Sequence, residues 1–505
     1  MTEKLLKEAF VSNLNGTNIS EITAGLSISS LCFLFRGLIF VLYQEKYGPL
    51  NYSWKFHLLL DYILLVFPLV LSCTVFSDFL YVVPLSYITA CTLLFYIIYK
   101  RRTNCVKRQL FGVIKSFLNV HVESRTMPPV TNFRVFLNIL TAIAILAVDF
   151  PIYPRRYAKT ETYGTGVMDL GVGGFIFANA IVSPEAKARE NLFCNRFSNL
   201  KKQLVSVWPF LILGFGRLIS VKKADYHEHV SEYGLHWNFF FTLAVVRVLA
   251  SFLLAVFPTQ KSWVVAATSV SLYQVALETT GLKDFVFYGS DGKGTRVGFL
   301  NANREGIVSV TGYVALYMAG VQVGVYVLKK RAVLKDLITA LWTLIIIALS
   351  LFAILHLFQM YIEPVSRRLA NLTFFIWTIA QCLSLLCFIF LSDLLIVFAK
   401  FLVTGSRIPG TWVICNSSFS TKNQSIKRTE DKESIKNNFC LIQAISRNPL
   451  LFFLLSNVMT GLVNIVMNTM NTTSFLSLLV LVLYMFFTCL IVYFLHVNNV
   501  NVKWW

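Results

Sequence analysis

The chain has 505 residues, 56% of them hydrophobic and 14% charged, with a net charge of +20 and a mean hydropathy of +0.65. Soluble proteins carry about 25% charged residues, so a water-soluble enzyme is excluded. The positive balance is not interleaved with exposed aromatics on a soluble stretch, which argues against nucleic acid and for basic loops lying against anionic lipid.

From the N-terminus, MTEKLLKEAF leads to a first long apolar run only near Ile22, so no cleavable signal peptide is expected. Apolar runs near the bilayer-crossing length predict an all-α polytopic transmembrane helical bundle of about thirteen spans. They fall near 21–43, 56–76, 79–99, 134–150, 166–183, 203–219, 235–257, 262–280, 305–327, 333–361, 370–399, 449–470 and 474–497. The whole chain, 1–505, reads as a single multi-pass domain. It has a basic loop near 100–133 and a polar, flexible loop near 400–448 (SSFSTKNQSIKRTEDKESIKNN). One set of alternate connections, with the C-terminus, holds 29 Lys and Arg, and the other set holds 14. The positive-inside rule then predicts a luminal N-terminus and a cytosolic C-terminus. The connections 150–165, 217–234, 281–304 and 362–369, rich in mixed charge, aromatics and glycine, fall on the luminal side. The ten cysteines are scattered with no CxxC pair, so neither a disulfide framework nor a zinc site is indicated.

The densest chemistry lies in AILAVDFPIYPRRYAKTETYGTGVMDLGVGGF, residues 144–175. Asp149 ends an apolar helix, and Pro151 and Pro154 turn the chain out of helical geometry just beyond it. Arg155, Arg156, Lys159 and Glu161 follow, and Asp169 stands inside the next apolar run. A carboxylate at a membrane-buried helix end, facing cations, is costly unless paired. The pattern reads either as an ion-pair cluster fastening two helices or as an acid–base and anion-binding pocket. The glycines around Asp169 suit close helix packing and form no GxGxxG phosphate fingerprint after a strand.

In ADYHEHVSEYGLHWNFFFT, His227, His229 and His236 with Glu228 and Glu232 raise a metal site, but the spacing is not HExxH and no metal is expected. His356 stands alone in an apolar run, best read as a histidine satisfied by neighbouring helices. The pairs Arg304–Glu305 and Arg367–Arg368, at span ends, suit phosphate recognition or snorkelling to the headgroup layer. Asn457, Thr460 and Asn464 share one helix face, which interhelical hydrogen bonding explains. No GxSxG elbow, Walker A loop or kinase set is present. On residues alone, an enzyme and a multispan lipid or small-molecule transporter using the same charge cluster remain open, as does a non-catalytic scaffold.

Taken together, KEAFVSNLNGT, AVDFPIYPRRYAKTETYGTG, MDLGVGGF, EYGLHWNFFFT, ANREGIVSVTGYVALY, SRRLANLTFFIW and NPLLFFLLSNVMTGLVN resemble the glycosylphosphatidylinositol (GPI) inositol acyltransferases of the endoplasmic reticulum, nearly end to end. The resemblance implies a multi-pass protein of that membrane, with no permanently bound cofactor. It implies transfer of a fatty acyl chain, usually palmitoyl, from acyl-coenzyme A to the inositol 2-hydroxyl of glucosaminyl-phosphatidylinositol, an early step of GPI-anchor assembly. It also implies that the Asp and Lys flanking FPxxPRRxA, here Asp149 and Lys159, form the catalytic pair. The expected substrate-binding residues are Arg155, Arg156, Glu161, Asp169, His236, Asn238, Arg304, Arg367 and Arg368. One tension follows: the orientation puts Asp149 near the lumen, whereas acyl-coenzyme A is expected on the cytosolic side.

Overall fold

The computed structural model describes residues 10, 12, 14–48, 52–102, 110–123, 126–187, 196–223, 230–403, 408–414 and 440–502. Its thirteen principal helices follow the apolar runs one for one. They are α1 (Ile19–Tyr47), α2 (Trp54–Cys73), α3 (Val82–Lys100), α4 (Pro128–Ala147), α5 (Asp169–Ile181), α6 (Leu200–Ser220), α7 (Phe239–Val256), α8 (Ser262–Thr279), α9 (Arg304–Val327), α10 (Leu334–Tyr361), α11 (Leu372–Leu402), α12 (Pro449–Val466) and α13 (Ser474–Val497). Among the described residues, eleven of these are long and apolar enough to cross a membrane; α5 is too short and α8 is not apolar enough. The count of thirteen spans is thus eleven by length and composition, with α5 and α8 forming helices of a different kind. The one sheet in the described residues is a two-residue antiparallel pair, Val122–Glu123 with Val413–Ile414.

Backbone polar groups find no water in hydrocarbon, so helices are the forced solution for such runs. Their ends follow local chemistry. Pro128 and Pro129 start α4, ahead of the apolar run, because proline fits the first turn where no N–H is needed. Asn371 caps α11 by accepting from the Phe374 N–H.

The spine is α11, buried along nearly its whole length. It packs against α10, α1, α4, α5 and α9, while α9 also holds α5, α8 and α7. Close approach to the spine depends on small residues: a Cβ on Gly173 of α5 would stand 2.6 Å from Thr378 Cγ2 of α11. Around this centre α3 packs on α1, α6 on α7, and α12 on α4 and α13.

Two arginines within the spans are paired, which lowers their cost in hydrocarbon. Arg36 of α1 meets Asp61 of α2 at 2.7 Å, and the other oxygen of Asp61 accepts from the Leu441 N–H at 2.8 Å. Arg247 of α7 donates to Gln203 and lies 3.9 Å from Glu185.

Candidate active site

Beyond Ala147 the backbone leaves α4 through a turn that ends in a short 3₁₀ segment, Arg155–Tyr157. Arg155 folds back over the end of α4, donating to the carbonyl oxygens of Val148 and Phe150 at 2.9 Å each and of Tyr153 at 2.8 Å. Terminal carbonyls of a helix lack intrahelical partners and carry partial negative charge, so a guanidinium there fixes the turn. The turn holds Asp149 with its side chain buried, and Asp149 Oδ2 accepts from Asn464 Nδ2 of α12 at 2.7 Å.

The rest of the loop is tied down in three places. Arg156 joins Glu21 of α1 and Asp78, each at 3.0 Å. Asp169, the first residue of α5, accepts from the Thr160 N–H and hydroxyl and the Gly166 N–H, and pairs with Arg367 at 2.7 Å. Tyr163 donates to Glu363 at 2.5 Å. Between these ties, Lys159 extends its ammonium to Glu232 Oε2 at 2.6 Å, while the other oxygen of Glu232 lies 3.7 Å from Arg367. Burial acts to raise the Glu232 pKa. The nearby cations Lys159, Arg367 and Arg217 outweigh it, and the group sits at about 2.

Asp149 and Lys159 line the same cavity, of about 1010 Å³, at the upper end of the roughly 300–1,000 Å³ typical of ligand pockets. Its body is apolar, walled by Leu26, Leu69, Leu137, Ile145, Phe175, Phe239 and Phe453 among others. Polar groups enter at Asp149, Lys159, Arg217, Glu232, Asn238, Asn457, Thr460 and Asn464. Such a space accepts a long hydrocarbon chain and presents a carboxylate and an ammonium to whatever the chain carries.

The structure divides the other expected residues. Asn238 lies on the cavity wall, where it caps α7 and donates to the Gly214 carbonyl at 2.9 Å. Arg155, Arg156, Glu161, Asp169, His236, Arg304, Arg367 and Arg368 are absent from that wall. Arg155, Asp169 and Arg367 stand directly behind it as the fastenings described above. Glu161 is anchored through its N–H to the Leu14 carbonyl, and His236 is exposed, its N–H donating to Asn303. Arg304 and Arg368 belong to a separate cluster around fully buried Glu305. Arg368 meets Glu305 at 2.9 Å and Arg296 grips it with two bonds of 2.8 and 3.0 Å. Arg304 donates to the carbonyls of Val286 and Thr295. This cluster closes the segment 282–302 onto α9. His227, Glu228 and His229 lie outside the described residues, and His356 is exposed on α10.

Three residues matter more than the sequence indicates. In the sequence Glu232 stands out only as a metal candidate, Asn464 only as a helix-packing group, and Arg217 not at all. The usable signals are a lone arginine closing an apolar run (FGRLIS) and the shared face of Asn457, Thr460 and Asn464, all three of which line the cavity.

A helical membrane protein whose bundle encloses an apolar cavity, with a carboxylate and an ammonium on its wall, belongs to the class that brings lipid chains to acid–base groups. The chain is a member of the GWT1 family, whose profile matches residues 3–495. It is 47% identical to "Glucosaminyl-phosphatidylinositol-acyltransferase PIGW" of Mus musculus over 505 residues and 46% identical to the protein of that name in Homo sapiens over 507, each covering all of both chains. It is 33% identical to "GPI-anchored wall transfer protein 1" of Saccharomyces cerevisiae over 540 residues, spanning 99% of each.

Proposed function

We propose that this protein, as a single multi-pass domain in the endoplasmic reticulum membrane, transfers a fatty acyl chain to the inositol 2-hydroxyl of glucosaminyl-phosphatidylinositol. The donor is acyl-coenzyme A, with palmitoyl the expected chain. The observation that carries this reading is that Asp149 and Lys159, together in one loop tied at three points, line one large apolar cavity.

The reaction needs two things of the protein. A sugar-alcohol hydroxyl is a weak nucleophile, and Asp149 accepts its proton as the oxygen attacks the thioester carbonyl. General-base assistance of this kind contributes about 10²–10⁴ in rate. Attack places negative charge on the carbonyl oxygen, and collapse breaks the C–S bond and places it on sulfur. The Lys159 ammonium stabilises both charges, and the proton held by Asp149 passes to the departing thiolate. Loss of one such stabilising donor costs on the order of 10²–10³ in kcat. The acyl chain lies in the apolar body of the cavity. No serine or cysteine nucleophile is required, because the acyl group moves directly from sulfur to oxygen.

The test uses purified protein in detergent with labelled palmitoyl-coenzyme A and glucosaminyl-phosphatidylinositol. Wild type labels the inositol lipid. Asp149→Asn and Lys159→Ala, recovered from the membrane in normal amount, lose activity by the factors above. Near-normal turnover of Asp149→Asn removes the base assignment. Movement of the lipid across vesicles by wild type without covalent change replaces the enzyme by a transporter.

A further inference from the structure

The cavity has two unlike sides. At one, the residues that line it are sealed inside the bundle: Ile22 and Leu26 of α1 are 1% and 4% exposed, and Leu69 of α2 is 1% exposed. At the other, residues lining the same cavity are exposed. Ile212 of α6 is 59% exposed, and Val458 and Ile465 of α12 are 60% and 74% exposed. The helices α6 and α12 flank the start of α7. A Cβ on Gly214 of α6 would press on Phe241 at 2.6 Å, while Phe239 and Phe240 stack with Phe453 of α12 at centroid distances of 5.9 and 6.2 Å. Both helices also carry a cavity-lining glycine, Gly216 and Gly461, whose added Cβ would meet nothing within 4 Å. The open side therefore lies between two membrane-crossing helices and faces lipid tails. Next to Gly216 stands Arg217, an exposed cation on the cavity wall.

These features separate the two substrates of the acyl-transfer reading, on which this inference rests. A single acyl chain fits against the sealed apolar side. A two-tailed lipid cannot leave the bilayer without exposing its tails, which costs about 0.8 kcal/mol per CH₂, so it must arrive sideways. Its phosphodiester needs a cation near the hydrocarbon boundary. We propose that the opening between α6 and α12, edged by Gly216 and Gly461 and headed by Arg217, is the lateral mouth that admits the phosphodiester-bearing glycolipid acceptor from the bilayer. Its tails remain in lipid, its phosphate rests beside Arg217, and its sugar ring reaches Asp149 and Lys159.

Gly216→Leu and Gly461→Leu narrow the mouth from either side. At each position an added Cβ meets nothing within 4 Å, and leucine favours a helix over glycine, so both variants are expected to fold, which a melting curve of each checks. In full-length purified protein, kcat/KM is compared for glucosaminyl-phosphatidylinositol and for the same headgroup phosphate without its tails, at saturating palmitoyl-coenzyme A. The ratio of the two should fall by about tenfold or more, the discrimination a mis-sized apolar passage provides, with the KM for the donor unmoved. Arg217→Gln should raise KM for both phosphate-bearing acceptors and leave the donor KM in place. Equal losses on tailed and tail-less acceptors, or no change in the ratio, overturn the mouth. A rise in donor KM in any of the three variants also overturns it, since the opening would then serve acyl-coenzyme A. If wild type acylates neither acceptor, the acyl-transfer reading itself fails.

Discussion

The Asp149 carboxylate is aimed by a neutral amide: Asn464 Nδ2, 2.7 Å away, is itself held by donation to the Thr460 carbonyl one turn earlier on α12. A hydrogen bond to a charged group contributes about 1.5–3 kcal/mol. Asn464→Leu should therefore lower kcat by about 10–10²-fold, with the KM for acyl donor little changed; a variant with wild-type kcat separates Asn464 from the chemistry. Glu232 does the corresponding work for Lys159, and its pH behaviour has a definite sign. Its pKa falls from the ordinary 4.5 to about 2 in the folded protein, so the ionised form is favoured by folding. The resulting stability is on the order of 3 kcal/mol, taking about 1.4 kcal/mol for each pH unit between those two values. It is fully present above about pH 4.5 and lost as pH falls toward 2. The difference in detergent melting temperature between wild type and Glu232→Gln should be constant from about pH 7 to 5 and shrink below about pH 4.5. A difference that grows on acidification contradicts the assignment. At this scale the sequence is partly legible. A carboxylate at a helix end followed by two prolines marks a site because its burial demands a purpose. Which of the cations that follow face a cavity is set by tertiary hydrogen bonds: Arg155 goes to three carbonyls and Lys159 to Glu232, and nothing in PRRYAK distinguishes them.

Helices are legible where hydrocarbon dictates them, and less so where protein replaces lipid. The two elements that fall short of the membrane-crossing criterion, α5 and α8, both pack on α9. The short α5 is largely buried in protein and need not be of full length, whereas α8, with Trp263, Leu272 and Val275 exposed, falls short through the polar residues it carries. The glycines of α5 suit helix packing rather than a phosphate loop in the sequence, and the contact of Gly173 with the spine bears out that use. Gly173→Leu forces a side chain into Thr378, and overpacking costs typically about 1–3 kcal/mol, occasionally more. Because α5 begins at Asp169, whose carboxylate holds both Thr160 and Arg367, displacement of the helix should also loosen the loop carrying Lys159. The expected result is a lowered melting temperature together with reduced kcat. Thermal scans and turnover measured on the same preparation test the link, and a destabilised variant with unchanged kcat breaks it.

Across the whole molecule the remaining question is how donor and acceptor approach one site from different compartments. The count of 29 cations against 14 on alternate connections predicts that the loop bearing Asp149 and Lys159 faces the lumen, opposite the polar loop near 400–448. The cavity runs from that loop, where Asn464 of α12 meets Asp149, to Phe453 near the opposite end of α12, so a site at its luminal end can hold a chain extending far into the bundle. The orientation is testable with single cysteines in a background where the ten native cysteines are replaced. Thr162→Cys, exposed in the loop bearing Asp149 and Lys159, should react with an impermeant maleimide only after sealed microsomes are opened. Lys422→Cys, in the polar loop, should react before. Labelling of both from the same side would mean an even number of crossings between them. With α5 and α8 both lying between these positions, the first revision would be to remove one of them from the set of helices that traverse the bilayer. If both react before the microsomes are opened, the loop bearing Asp149 and Lys159 faces the cytosol, where acyl-coenzyme A is expected, and the tension between donor and site disappears.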